Sequence, residues 1–247
     1  TILDNNGNSD WMAGIVLSNA SPVSGDDTGT VLDDRLKSAS ARGKGRLDCP
    51  SDIILKNNII SNNASAGIYS DGAYKCYLLN NRVSENDKEG IILNRGTIGF
   101  YLSQNTLEHN GCRSDQPDDD LKDGLAGISL DNAAYVVLEN NNITDNYGGG
   151  IKMARTAIRN LVIGNVIRNN SIGQSGVYGF YGIELGAGLD GKQNPEVDCT
   201  PAYENIICRN IISGKHYSGI YIEEECYIND VFDNVIMDSE VHGIEAV

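Results

Sequence analysis

Apolar and polar positions along this chain repeat in a fixed frame. The pattern Asn-x-apolar-x-x-Asn, slid along the sequence, begins at Asn58, Asn81, Asn105, Asn141 and Asn165, and its first Asn and apolar member recur from Asn210 and Asn234, where Lys215 and Ser239 stand at the place of the second Asn. Its apolar member falls at Ile60, Val83, Leu107, Ile143, Ile167, Ile212 and Ile236, and Ile2 followed by Asn5 is the tail of an earlier copy. A Gly followed by Ile recurs at Gly14, Gly67, Gly90, Gly127, Gly150, Gly182, Gly219 and Gly243. Period-two alternation follows, in Ile68/Ser70, Ile91/Leu93, Ile128/Leu130, Ile151/Met153, Ile183/Leu185 and Ile220/Ile222, as expected of strands with one buried face. A third apolar column, Leu55, Leu78, Leu102, Leu138, Val162, Ile207 and Val231, precedes the Asn. The closest copies, Asn58 to Asn81 and Asn81 to Asn105, are 23 and 24 residues apart. That length suits one coil of three short strands, and a fixed period of this kind signals a solenoid. The predicted fold is all-β: a right-handed parallel β-helix (solenoid) of about eight coils with loop insertions, forming one domain over residues 1–247.

Both polar markers have a physical rationale. A side-chain amide donates and accepts, so buried Asn residues of stacked coils can form a ladder. Gly at the other corner is expected to adopt positive φ and bend the chain sharply. Insertions interrupt the repeat near residues 19–51, 112–125, 171–181 and 187–203, on both sides of the Gly-Ile strand. Loops raised beside a flat sheet make a groove, and loops on a rigid scaffold commonly carry function. The chain starts and stops inside coils, at Thr1-Ile2-Leu3 and Ile244-Glu245-Ala246-Val247. Open strand edges invite pairing, so the expectation is a fragment of a longer protein whose flanking domains cover them, or a homo-oligomer.

Composition narrows the partners. Lys plus Arg total 19 against 34 Asp plus Glu, and the net charge of −15 repels a phosphate backbone, which removes nucleic acid as a partner. No apolar run approaches the roughly 20 residues of a membrane span, and no charged-then-apolar leader opens the chain. Cys49, Cys76, Cys112, Cys199, Cys208 and Cys226 show neither a CxxC pair nor Cys/His spacing for zinc. Three of them, Cys49, Cys112 and Cys199, fall in insertions, where disulfides formed in an oxidising compartment would staple loops. Scattered free thiols are the alternative. No cofactor is required. The acidic insertion Asp115, Asp118, Asp119, Asp120 and Asp123 offers oxygen ligands for Ca²⁺ without EF-hand spacing, and a solvated acidic loop is the plainer reading. His109, His216 and His242 read as lone surface histidines.

The run Asn81-Arg82-Val83-Ser84-Glu85-Asn86 followed by Gly90-Ile91 resembles the repeat of the pectin-lyase-like superfamily of right-handed parallel β-helix proteins, and the resemblance covers almost the whole chain. It implies a fold rather than one activity, because that superfamily includes polysaccharide lyases, hydrolases and epimerases, phage tailspikes and non-catalytic adhesins. Gly25-Asp26-Asp27 and His242-Gly243 are similar to pieces of the polygalacturonase signature but lie at opposite ends of the chain. Neither a WxDH string nor the DPH motif of mannuronan epimerases is present.

Function is expected on the outward face of the Gly-Ile sheet. One outward column reads Val16, Tyr69, Ile92, Ser129, Lys152, Glu184, Tyr221 and Glu245. The next reads Asp71, Asn94, Asp131, Ala154, Gly186 and Glu223, and beyond it stand Arg95, Asn132, Arg155 and Glu224. Elimination from a uronate needs a base and a cation, for which Lys152 and Arg155 are candidates. An ordinary Lys152–Glu184 surface pair, worth at most about 1 kcal/mol, is the alternative. Glycoside hydrolysis needs two carboxyls, about 5 Å apart for retention or roughly 6.5 to 9.5 Å for inversion. Asp71 with Asp131, or Asp131 with Glu184, would supply them. Lys152, Asp131, Glu184 and Arg155 are therefore the catalytic candidates. Tyr69, Asp71, Asn94, Arg95, Tyr181, Tyr221 and Glu223 are the substrate-binding candidates, since sugar rings stack on aromatic faces. Tyr147, Tyr217, Tyr178 and Phe180 gather near the same face. Two functions fit, both with polysaccharide as partner and both for a secreted or cell-surface protein. One is a lyase or glycoside hydrolase; the other is a non-catalytic binding, adhesin or tailspike module.

Overall fold

The computed structural model describes residues 2–5, 13–18, 50–111, 125–171, 181–186 and 201–247. These form strands and turns without a helix, assembled into three parallel sheets of eight, eight and seven strands. The Gly-Ile sheet contains Ile15–Ser18, Ile68–Asp71, Ile91–Asn94, Ile128–Asp131, Ile151–Ala154, Ile183–Leu185, Ser218–Ile222 and His242–Ala246, each paired with the equivalent strand of the next coil. An Asn sheet runs from Ile2–Asn5 and Ile59–Asn63 to Val235–Met237, and a third sheet from Ile54–Lys56 to Asp230–Phe232. The chain visits the third, Asn and Gly-Ile sheets in turn before rising one coil. Such parallel crossovers wind right-handed, because right-twisted strands pack back on themselves only in that sense.

Turn chemistry sets the coil's cross-section. Lys75, Asn80 and Glu85 have φ of 51°, 52° and 55°, and Tyr135, Asn140 and Asp145 repeat this with 54°, 53° and 55°. Left-handed residues thus recur every five positions, bending the chain at three corners per coil. Asn and Asp tolerate this region better than other residues with a Cβ, which accounts for much of the chain's Asn content at corners.

Inside, the three apolar columns meet. Leu78, Val83, Ile91, Leu93, Leu102, Leu107, Ile128, Leu130, Leu138 and Ile143 are fully buried, and one cluster runs through the stack. The ladders at the corners complete this core. Asn141 Nδ2 donates to Asn165 Oδ1 at 3.0 Å and to the Leu102 carbonyl at 2.9 Å, while Asn141 Oδ1 accepts from the backbone N–H and Nδ2 of Asn105 at 3.0 and 2.9 Å. Both amide donors and both lone pairs are used, which removes the cost of burying the group. A second ladder joins Asn63, Asn86, Asn110, Asn146 and Asn170, and a third joins Asn160, Asn205 and Asn229.

Two expectations need correction. The Gly-Ile glycines do not make the bend: Gly72 and Gly214 have positive φ, at 77° and 94°, but the described Gly-Ile glycines do not. Space decides them. A Cβ on Gly127 would lie 2.6 Å from Ile143 Cγ2 and 2.9 Å from Asn146 Nδ2, so the ladder and the apolar column together leave no room for a side chain. His216, expected at the surface, is fully buried. A tight turn from the His216 N–H to the Gly214 carbonyl at 2.8 Å shifts the strand entry, exposing Lys215 and turning the imidazole inward. Its Nε2 lies 3.5 Å from Asn170 Nδ2, continuing the second ladder with a ring in place of an amide. His109 and His242 are exposed as expected.

Candidate functional site

Strand register lays out the outward face as a grid. Val16, Tyr69, Ile92, Ser129, Lys152, Glu184, Tyr221 and Glu245 are consecutive Cα partners across the Gly-Ile sheet. Asp71, Asn94, Asp131 and Ala154 form the second column. Gly186 and Glu223 continue it, with their N–H groups on the Met153 and Leu185 carbonyls at 2.9 Å. Adjacent coils are about 4.8 Å apart, so neighbouring entries in a column are within side-chain reach.

Charges on this grid are arranged in pairs across coils. Arg95 NH1 lies 3.7 Å from Asp71 Oδ2, and Arg155 NH1 lies 3.5 Å from Asp131 Oδ2. Each Arg stands 24 positions after its Asp, one residue beyond the aligned strand end, so the same device is used twice. Both arginines sit at left-handed corners, with φ of 47° and 45°. Lys152 Nζ lies 3.7 Å from Glu184 Oε1, with side chains 20% and 23% exposed. That is the ion pair weighed above against a catalytic lysine. Of the carboxyls named from sequence, Asp131 is the most distinctive: its Oδ1 is buried without a hydrogen-bond partner. Burial raises its pKa, and Arg155, Lys152 and Arg95 oppose that rise.

Aromatic rings lie at the other end of the grid. Tyr181 stacks on Tyr221 with centroids 4.2 Å apart and planes 6° from parallel, and meets Tyr217 edge-on at 6.3 Å. Burial is the main cause of the raised pKa of both Tyr181 and Tyr221, so both phenols stay neutral hydrogen-bonding groups. Tyr69 stands on the same column, beyond Ile92 and Ser129. The structure therefore brings Lys152, Glu184, Tyr221 and Tyr181 into one neighbourhood and Asp131, Arg155, Asn94, Arg95 and Asp71 into the adjoining one. Glu223 joins the Tyr221 end.

Sequence reasoning missed Glu89. It precedes the Gly of Gly90-Ile91, in a column whose neighbours are Ala66, Ala126 and Gly149, as the bonds from the N–H groups of Gly14, Gly67 and Gly127 to the carbonyls of Ala66, Glu89 and Gly149 show. Burial pushes its pKa up to about 7, against the attraction of Lys88 and Lys152 and with the repulsion of Asp131 adding to the rise. The signal in the sequence was one acid in a corner column otherwise occupied, on either side, by Ala and Gly.

The predicted insertions fall almost wholly outside the described residues, as do Cys49, Cys112, Cys199, Tyr178, Phe180 and the acidic run Asp115 to Asp123. The described segments that flank them end at Ser18, Gly111, Ser171 and Gly186 and resume at Pro50, Leu125, Tyr181 and Pro201.

Three stacked parallel sheets with an Asn ladder define a class, and comparison with known proteins agrees. The chain belongs to the right-handed β-helix family, whose model, described as right handed beta helix region, covers residues 118–247, and to the family described as periplasmic copper-binding protein (NosD), whose model covers residues 1–178. Among solved structures it is similar to the periplasmic alginate epimerase AlgG, with TM-score 0.59 and 17% identity over 76% of this chain and 40% of that one. The A-module of the Azotobacter vinelandii mannuronan C-5 epimerase AlgE6 gives 0.58 and 16% over 78% and 50%. The AlgE4 A-module of the same organism gives 0.55 and 15% over 81% and 65%. The chain thus spans 40% to 65% of these structures, and likeness at such identity defines the fold. No curated protein matches the sequence.

The described residues do not fit a copper ion. No group of three or more His, Cys, Asp or Glu is gathered for a metal among them. Cys76, Cys208 and Cys226 are free, burial raises the Cys76 thiol and pushes Cys226 up to about 11, and metal ligation needs the thiolate. His216 faces an amide rather than other ligands.

Proposed function

We propose that the Gly-Ile sheet binds a polysaccharide outside the cytoplasm and carries out chemistry on it. The supporting observation is the grid itself: Tyr181 stacked on Tyr221 lies in register with Glu184 and Lys152, beside the Asp131–Arg155 and Asp71–Arg95 pairs. A chain of sugars laid along the solenoid axis meets an aromatic face at one end and hydrogen-bonding ions at coil spacing at the other. The fold it shares with alginate epimerases and the periplasmic description of its family are consistent with this reading.

Hydrolysis is the finer reading. Elimination by Lys152 needs a nitrogen lone pair, and an amine 3.7 Å from Glu184 instead presents its N–H groups to a carboxylate. The carboxyls are better placed to move protons. A binding-only surface is the second reading, favoured by the cross-coil pairing of Arg95, Arg155 and Lys152 with carboxylates, an arrangement that suits recognition without turnover.

Affinity electrophoresis against neutral and uronate polysaccharides tests the surface. Retardation by at least one glycan is expected, and Tyr221→Ala should weaken it about tenfold by removing the stacked ring. Absence of retardation by every glycan, or an undiminished Tyr221→Ala protein, would remove the sheet as the binding surface.

A further inference from the structure

We propose that the outward face of the third sheet joins this chain to a second copy of itself, as an isologous dimer whose two solenoid axes run antiparallel.

The strands of this sheet differ in pattern from those of its neighbours. A sheet with one face in water alternates apolar and polar side chains, whereas a parallel sheet covered on both faces reads as continuous apolar runs. The third sheet has such runs in Tyr77-Leu78-Leu79, Val136-Val137-Leu138, Leu161-Val162-Ile163 and Ile206-Ile207-Cys208. Leu78, Leu138, Val162 and Ile207 fill the core. Register sets Ile54, Tyr77, Tyr101, Val137, Leu161 and Ile206 in one outward column. Leu79, Ile163 and Phe232 belong to the next. Ile54, Tyr77, Ile206 and Phe232 are exposed. The Asn sheet gives the contrast, with Arg82, Ser84, Thr106, Glu108, Asn142 and Thr144 at its outward positions.

The chemistry of this face favours protein over sugar. Tyr77 and Tyr101 are inclined by 60° with centroids 6.4 Å apart, so they offer sugar rings no common plane. Val137, Leu161, Ile163 and Ile206 are branched aliphatic groups, which gain most by packing against their like. The sheet has seven strands, and left-handed corners such as Lys75 and Asn80 set its width at five residues. At about 4.8 Å per strand and about 3.3 Å per residue the footprint is roughly 550 Å² per copy and 1,100 Å² for the pair, the lower end of specific interfaces. Association is accordingly weak, in the micromolar range.

Charge selects the second copy and its direction. The first strand of the sheet carries Lys56, while Asp230 and Asp233 stand at the last, and all three are exposed. A twofold axis along the middle strand, Val137–Glu139, reverses the order of coils in the facing copy. Lys56 then lies over the partner's Asp230 and the partner's Asp233, and Lys75 over the partner's Glu204. Tyr101 packs on the partner's Leu161, and Val137 meets its own copy. Asp52 and Arg209, of the opposite sign at each end, fall across from the partner's Ile228 and the partner's Asn80. Parallel axes would instead gather like charges at both ends, which disfavours that arrangement. Glu139 accepts from the Tyr101 hydroxyl, and its approach to the partner's Glu139 across the axis limits the affinity. The Gly-Ile sheet of each copy stays open to a polysaccharide.

Sedimentation velocity of the full chain across micromolar concentrations tests the proposal, and a monomer–dimer equilibrium is expected. Val137→Lys, which brings two ammonium groups together at the axis, should weaken it by about tenfold or more. Asn142→Lys, on the Asn sheet of the same coil, should leave it unchanged. Glu139→Gln keeps an acceptor for Tyr101 and should strengthen it. Lys56→Glu and Asp230→Lys should each weaken it, and the double variant should recover the native value. These last two positions are exposed, so their effects report association rather than folding. A chain that is monomeric at every concentration, or a dimer indifferent to Val137→Lys, would overturn this face as the self-association surface. A double variant weaker than either single one would overturn the antiparallel arrangement.

Discussion

His216 replaces an amide in a ladder built of amides, and its charge state follows from that position. Burial lowers its pKa from 6.5 to about 4, because an imidazolium facing Asn170 and the core would lack water. The unfolded chain therefore binds the extra proton first. His216 contributes its full stability above about pH 6.5, and that contribution is lost as pH falls through about 4, a loss on the order of 3 kcal/mol. Urea midpoints measured across this window should decline for the native protein and decline less for His216→Asn, which keeps an amide opposite Asn170. Parallel declines would show that another group carries the pH dependence. This residue was hard to read in the sequence for a local reason: the second Asn of the repeat is missing after Gly214, and only the tight turn at Gly214 reveals that His216 rather than Lys215 turns inward.

Strands and their pairing were legible, because period-two alternation and a coil of 23 to 24 residues leave one way to bury every apolar column. The role of the Gly column was not, since a tight packing distance leaves no trace in the local sequence. Its test compares two members of the column. Gly127→Ala places a Cβ 2.6 Å from Ile143 Cγ2 and should cost about 1–3 kcal/mol in denaturant unfolding. Gly243→Ala meets only Ile236 Cγ2, at 3.9 Å, and should fall within about 0.5 kcal/mol of the native protein. Equal costs would mean that backbone entropy, rather than the close approach, governs this column.

The whole molecule combines a net charge of −15 with a compact set of cations on one face. These make opposing demands on an anionic ligand. If the net field dominates, affinity for alginate should rise as salt is raised from about 0.01 to 0.15 M, because repulsion is screened, while affinity for a neutral glycan stays flat. An alginate affinity that falls over the same range would give control to Lys152, Arg95 and Arg155. Taken alone, the sequence determined the coil, its columns, the first Asn ladder and the sheet on which function is sought, because each depends on a period that the chain writes out residue by residue. It also named Lys152, Asp131, Glu184 and Arg155, since outward positions follow from alternation. Only the tertiary structure decided which of these ions pair and that Asp131 keeps one oxygen buried and unpartnered. Those properties depend on groups brought together from different coils, and on how much water the stacked coils exclude, which no single repeat records.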